Sequence, residues 1–178
     1  NSTTSTSNPN NFIIFHKLIY ITNVMKNKIL SFLILGLLTY SASIVGGIAT
    51  FKFKEPWYSS LTKASFNPPD WVFAPVWTTL YFFMTVAIWL VWQSNKDRSK
   101  ILFIYLIHLF FNTTWSIVFF AFHSIFYALV VLIVLIFLIV ILMIEFKKVK
   151  LFSFYLMVPY LIWCLYALLL NTTLLILN

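Results

Sequence analysis

The sequence predicts an all-α protein, an integral membrane bundle of five transmembrane helices. Three observations carry that class. Of 178 residues, 62% are hydrophobic and only 9% are charged. The apolar residues come in runs too long for the core helices of a soluble domain of this size. Those runs also lack the strict alternation of an outer-membrane barrel. Lipid is therefore the expected solvent, and only a helix satisfies its own backbone hydrogen bonds within one lipid-exposed segment.

Taken in order, residues 1–24 read as an N-terminal extension, disordered at its beginning, because Asn1 to Asn11 is rich in Ser, Thr and Asn. Met25-Lys26-Asn27-Lys28 then looks like a natural start, and residues 25–178 form the membrane domain. With roughly 20 apolar residues needed to cross the hydrocarbon core, the spans fall at Ile29 to Thr50, Trp71 to Trp92, Ile101 to Phe122, Ile125 to Ile144 and Leu151 to Leu170. For the first, a cleaved leader ending near Ser41-Ala42-Ser43 is the rival reading. Against it, the apolar run continues through Ile44 to Ile48, long enough to span. Ser43 with Gly47, and Ala42 with Gly46, give a small-xxx-small spacing that allows close helix packing, within the bundle or in a homodimer.

Pro68-Pro69 stiffens the approach to the second span and removes two backbone donors. Within that span Phe73, Trp77 and Tyr81 recur every four residues and share one face, an aromatic wall. The third span sets His108, Asn112 and Trp115 along one stripe. In the fifth, Trp163, Ala167 and Asn171 repeat the geometry, and Pro159 one turn earlier frees a carbonyl. The three stripes can converge on one cavity, roofed by the loop from Phe51 to Asp70.

The net charge of +8 does not point to nucleic acid, since the cations sit in short connectors and form no stripe with interleaved aromatics. They read as topology. Lys26, Lys28, Lys96, Arg98, Lys100, Lys147, Lys148 and Lys150 lie on one side, and Lys52, Lys54 and Lys63 on the other. The positive-inside rule then predicts the N-terminus inside and the C-terminus outside. Cys164, within the fifth span, has no partner for an internal disulfide and says nothing about redox compartment.

Trp71, Trp89 and Trp92 lie near span ends and read as interfacial anchors, whereas Trp77 and Trp163 lie inside spans and read as pocket walls. Asn112 should face the bundle interior, as interhelical glue worth roughly 0.6 to 2 kcal/mol, as a ligand contact, or as both. Asn171, near the end of its span, leans to the structural role. The Asn-Thr-Thr sequons at both positions lie in or at the bilayer, which argues against glycosylation. His108 reads first as a hydrogen-bonded helix contact, with haem ligation as the alternative. His123 reads as a solvated turn residue, and Glu55 and Asp70 as groups that shape the first loop. No nucleophile with an adjacent base, phosphate loop or metal cluster is present, so no catalytic residue and no metal ligand is expected.

The chain resembles the translocator protein (TspO/MBR) family, also called tryptophan-rich sensory proteins or peripheral benzodiazepine receptors. Four blocks in order carry the resemblance: W-Y-S-S-L-T-K at Trp57 to Lys63, N-P-P-D-W-V-F-A-P-V-W-T-T-L-Y at Asn67 to Tyr81, F-N-T-T-W-S-I-V-F-F at Phe111 to Phe120, and P-Y-L-I-W-C-L-Y-A-L-L-L-N at Pro159 to Asn171. The match covers about Leu30 to Asn178. It implies a five-helix receptor or carrier for porphyrins and similar flat hydrophobic ligands, in tetrapyrrole handling and stress signalling. Sterol and isoquinoline-type ligands are known in some members.

No cofactor is required on this reading, and a porphyrin or haem is the expected ligand. The implied contacts are stacking on Trp77 and Trp163, apolar contact from Pro68 and Ala167, and orientation by Tyr58, Asn112 and Trp115. The alternatives are light-dependent breakdown of bound porphyrin and a non-catalytic membrane scaffold. His108 replaces a glutamine frequent in the family, and Ala64 a proline, which makes the loop less rigid. The terminal T-T-L-L-I-L-N lacks the sterol motif of animal members. With no Arg-rich presequence, a bacterial cytoplasmic membrane is expected, with the mitochondrial outer membrane as the alternative.

Overall fold

The computed structural model describes residues 27–94 and 98–178. The expected extension 1–24, and Lys26 and Lys96 of the charge argument, lie outside the described residues. Five long helices form: α1 (Lys28–Phe53), α2 (Phe73–Trp92), α3 (Arg98–Ser116), α4 (Ile125–Val149) and α5 (Leu151–Leu177). Among the described residues there is no strand. All five helices are long and apolar enough to cross a membrane.

Each end has a local cause. The Asn27 side chain accepts from the Ile29 and Leu30 amides at 3.0 and 3.3 Å, satisfying orphan donors at the start of α1. A 3-10 turn, Asp70–Val72, follows Pro69 and leads into α2. At its far end α3 widens into a π-helical turn, Ile117–Ala121. His123, in the left-handed region at φ 51°, then reverses the chain into α4. Pro159 lies inside α5 without ending it.

The expected spans differ from the helices chiefly at their C-terminal ends. α4 runs on through Lys147 and Lys148 to Val149, and α5 through Asn171, Thr172 and Thr173 to Leu177. Bilayer thickness sets how much of a helix needs to be apolar. It does not stop the helix, and no Gly or Pro interrupts these ends.

The helices pack in the ring order α1, α2, α5, α4, α3, with α3 closing against α1. Away from the first loop the interior is filled by Met84 and Ile88 of α2, Tyr105 of α3, Leu135, Ile139 and Leu142 of α4, and Met157 and Tyr160 of α5, all buried. A second cluster, Tyr58, Phe119, Phe120, Ala128 and Leu174, sits under the loop. Leu37, Phe103, Phe110, Phe137 and Ile162 point outward, as expected where the surrounding solvent is hydrocarbon.

Small and polar residues set the distance between α1 and its neighbours. A Cβ at Gly46 would lie 3.1 Å from Ser116 Oγ, and Thr113 Oγ1 donates to the Ala42 carbonyl at 3.2 Å. Tyr105 donates to Thr39 Oγ1 at 2.7 Å, while Thr39 donates back to the Leu35 carbonyl. At the opposite end Gln93 Nε2 reaches Ser31 Oγ at 2.8 Å, and Trp89 Nε1 reaches the Lys28 carbonyl at 3.0 Å. Trp89 therefore ties α2 to α1 as well as sitting near a span end.

Of the two small-residue pairs, that of Gly46 serves the bundle. Gly47 has open space where a Cβ would stand. Gly46→Leu is expected to force α1 off α3 and to cost about 1–3 kcal/mol, while Gly47→Ala meets nothing and gains up to about 1 kcal/mol from helix propensity. Thermal unfolding of the two variants in detergent checks the contrast.

Candidate functional site

Between the buried core and the loop lies a cavity of about 410 Å³, within the roughly 300–1,000 Å³ of small-molecule sites. Four helices and the loop wall it, and α4 contributes none of its lining. α2 supplies Phe73, Ala74, Trp77, Thr78 and Tyr81, in agreement with the four-residue spacing of its aromatics. α3 and its widened turn supply Asn112, Trp115, Ser116, Phe119 and Phe120. α5 supplies Trp163, Ala167, Leu170, Asn171 and Leu174. α1 supplies small groups, Ser43, Gly46, Gly47 and Thr50, and the loop adds Lys54, Tyr58, Asn67 and Asp70.

The aromatic rings hold one another in place. Trp77 lies 5.6 Å from Tyr81 and 6.2 Å from Tyr160, and Phe73 meets Trp163 edge-on at 5.9 Å. Trp115 stacks on Phe119 at 5.3 Å. Its indole N–H points to Asn171 Oδ1 at 3.4 Å, and Asn171 Nδ2 donates to the Ile125 carbonyl at 2.9 Å. Flat apolar faces with a few polar atoms at fixed positions suit a planar hydrophobic guest.

Beneath the cavity runs a chain of buried hydrogen bonds across three helices. Tyr81 donates to Asn112 Oδ1, and Asn112 Nδ2 donates to Tyr160 Oη at 2.9 Å. The Tyr160 hydroxyl hydrogen is then free for His108 Nε2, 2.9 Å away. Asn112 thus links α2, α3 and α5 as the interhelical reading expects, and it also lines the cavity. His108, fully buried, lies one turn below and lines nothing. Its Nε2 is engaged by Tyr160, as the helix-contact reading expects, while Nδ1 has no hydrogen-bond partner.

The loop closes the cavity as a lid with several anchors. Trp57 stacks on His123 at 4.5 Å and meets Phe119 edge-on at 5.3 Å. His123 Nε2 donates to the Phe53 carbonyl at 3.1 Å, so this residue, expected to be merely solvated, clamps the lid while remaining exposed. Tyr166 donates to the Phe66 carbonyl at 2.7 Å, and the Asn178 amide pairs with the Thr62 backbone at 2.9 and 3.1 Å.

Lys54 hydrogen-bonds Asp70 across the mouth and lies 3.6 Å from Glu55. Burial opposes its charge, but the Asp70 hydrogen bond and the charges of Asp70 and Glu55 outweigh it and hold its pKa above the ordinary lysine value. Burial pushes the Tyr58 phenol up from its usual range, so it stays protonated at neutral pH.

Of the seven residues expected to contact a ligand, Tyr58, Trp77, Asn112, Trp115, Trp163 and Ala167 line the cavity. Pro68 does not. Its carbonyl accepts from Asn67 Nδ2 at 3.0 Å, and Asn67 and Asp70 hold the rim instead. Among the described residues no three His, Cys, Asp or Glu side chains come together as a metal site.

The sequence model of the TspO/MBR family matches residues 32–177. The chain belongs to this family. It is 35% identical over 158 residues to the tryptophan-rich protein TspO of Chlorobaculum tepidum, covering 86% of this chain and 99% of that protein. To the tryptophan-rich sensory protein of Cereibacter sphaeroides it is 36% identical over 128 residues, 71% of this chain and 80% of the relative. To the human translocator protein it is 32% identical over 119 residues, 65% and 70% of the two chains. As a TspO/MBR protein with five spanning helices it is an integral membrane protein.

Reading residues in sequence missed Lys54, Gly47 and the Phe119-Phe120 pair in this TspO/MBR protein. Gly47 was visible only as half of a packing motif. The signal for Lys54 was its place next to Glu55, seventeen residues before the span that opens at Trp71.

Removing the central amide tests the buried chain. Asn112→Leu strands the Tyr81 hydroxyl, leaves Tyr160 only its bond to His108, and is expected to cost about 1–3 kcal/mol, read as a lowered unfolding temperature in detergent.

Proposed function

We propose that this protein is a membrane receptor or carrier for porphyrins and similar flat hydrophobic molecules, acting in tetrapyrrole handling and stress signalling. One observation carries the reading: Trp77 and Trp163 face a single lidded cavity whose wall is aromatic and whose polar atoms are few. A macrocycle gains apolar burial against both indoles and Phe73, and Tyr58 and Trp115 orient its edge. The lidded, lipid-embedded site keeps such a ligand out of water, where it is poorly soluble. Names borne by its relatives, tryptophan-rich sensory protein and translocator protein, support sensing or carriage.

The test is a titration of the protein in lipid nanodiscs with protoporphyrin IX, following tryptophan quenching. Saturable binding by the intact chain should weaken about tenfold, 1.4 kcal/mol, in a Trp77→Phe, Trp163→Phe double variant that stays folded. Equal binding by both proteins, or saturation by neither, would instead favour a scaffold whose aromatics only pack the bundle.

We also propose that the cavity mouth faces the outside of a bacterial cytoplasmic membrane. Lys28, Arg98, Lys100, Lys147, Lys148 and Lys150 flank the end remote from the lid, and Lys52, Lys54 and Lys63 flank the lid end. The greater cationic weight belongs inside. A single cysteine placed at Ser65, in a Cys164→Ala background, should react with an impermeant maleimide in intact cells, and one at Ser99 should not. The reverse pattern would invert the topology.

A further inference from the structure

Among the cavity-lining residues only Lys54 and Asp70 carry charge, and they pair with each other across the mouth. Lys54 is the partly buried member, with its side chain 24% exposed, whereas Asp70 is 54% exposed. The Lys54 ammonium lies 5.5 Å from the centre of the Tyr58 ring, and that of Lys63 lies 4.4 Å from it. Tyr58 itself lines the cavity. The rim thus sets two ammonium groups against an aromatic ring, with Asp70 and Glu55, 3.6 Å from Lys54, as their counter-charges, while no charged side chain lines the interior beyond it.

The geometry points to Lys54 as the residue that selects ligands bearing a carboxylate, taken up in exchange for Asp70. This rests on the porphyrin reading above and narrows it: the ring system lies against Trp77 and Trp163, and the acidic substituent comes out at the rim onto the lysine.

The exchange is favoured by where each partner stands. Asp70 begins the helical stretch that leads through Val72 into α2. A carboxylate in a first turn is stabilised by the helix dipole and by water, even without its lysine. An exposed ion pair contributes little, about 0–1 kcal/mol, so releasing Asp70 is not costly. Lys54 follows the last turn of α1, where a cation is favoured whichever anion it holds. Its raised pKa keeps it an ammonium across the physiological range, and it has three donors to share. A carboxylate arriving from within the cavity meets it on the less hydrated side, where a charge-assisted bond is stronger than at the surface. Without that carboxylate the Lys54 to Asp70 pair joins the end of α1 to the approach to α2.

Protoporphyrin IX and its dimethyl ester, which share a ring and differ in acidity, separate this from the parent reading. Both are titrated in nanodiscs against the intact chain and against Lys54→Met, Lys54→Arg and Asp70→Asn. Helix content is followed by circular dichroism to exclude unfolding. The intact protein should prefer the diacid about tenfold, Lys54→Met should abolish the preference by weakening the diacid alone, and Lys54→Arg should retain it. Asp70→Asn, which removes the competing carboxylate, should tighten the diacid and leave the ester unchanged. Equal affinity of the intact protein for both pigments overturns the inference and leaves the porphyrin reading standing. So does a Lys54→Met loss that is the same for both, which is what a purely structural latch would give. If neither pigment saturates, both readings fall together.

Discussion

In hydrocarbon a polar atom must find its partner within the protein, and the chain from Tyr81 through Asn112 and Tyr160 to His108 meets that demand across three of the five helices for all of its side-chain polar atoms but His108 Nδ1. The two inner members, Asn112 and Tyr160, each take one bond from the member above and give one to the member below, so neither can turn without stranding a neighbour. The chain fixes the rotation of α2, α3 and α5 about their axes. Rotation in turn decides which aromatics face inward. Trp77 is on the cavity wall because Tyr81, one turn away on the same face, is held by Asn112. Trp163 is there because Tyr160 is held from the other side.

A cavity can persist above this floor because its walls are kept apart by large rigid rings and its roof is anchored elsewhere. Trp57, Tyr58 and the Asn178 clasp attach the lid to the ends of α3 and α5. The opening is left by α1, whose Ser43, Gly47 and Thr50 present almost no side chain where the other helices present aromatics. α1 therefore plays two roles within one turn. Gly46 touches Ser116 and sets the helix separation, and Gly47 beside it leaves space. Consecutive residues on a helix lie about 100° apart, so one glycine faces a neighbour and the next faces the void.

The five helices were legible in the sequence because membrane insertion is dictated by run length, which a sequence displays directly. Their C-terminal ends were not, since Lys147 and Thr173 are as compatible with a continuing helix as with a loop. The aromatic wall was legible too, because four-residue spacing assigns residues to a face. The same argument put His108 on the cavity stripe, and there it failed: spacing gives a face but not a depth, and the floor made by Asn112 and Tyr160 lies between His108 and the cavity. Pro68 shows a further limit. In a loop no periodicity says which of two neighbours points inward, and Asn67 and Asp70 do so instead. Lys54 was counted only as a topological charge, since nothing in one dimension brings it to Asp70, sixteen residues on.

The widened turn at the end of α3 joins these parts. In a π-helical turn each residue advances by a smaller angle than in an α-helix, so two successive side chains can share one side. Here Phe119 and Phe120 are both buried, and both meet Tyr58 edge-on, at 6.1 and 5.9 Å. The chain then reverses at His123, whose ring supports Trp57. The lid is thus seated by a local irregularity of a helix whose regular part, a turn away, carries Asn112. Floor and roof of the cavity belong to one continuous element, so a rotation of α3 that disturbed the Asn112 bonds would also shift the seat of Tyr58. Closure over the cavity is in this way coupled to the packing beneath it.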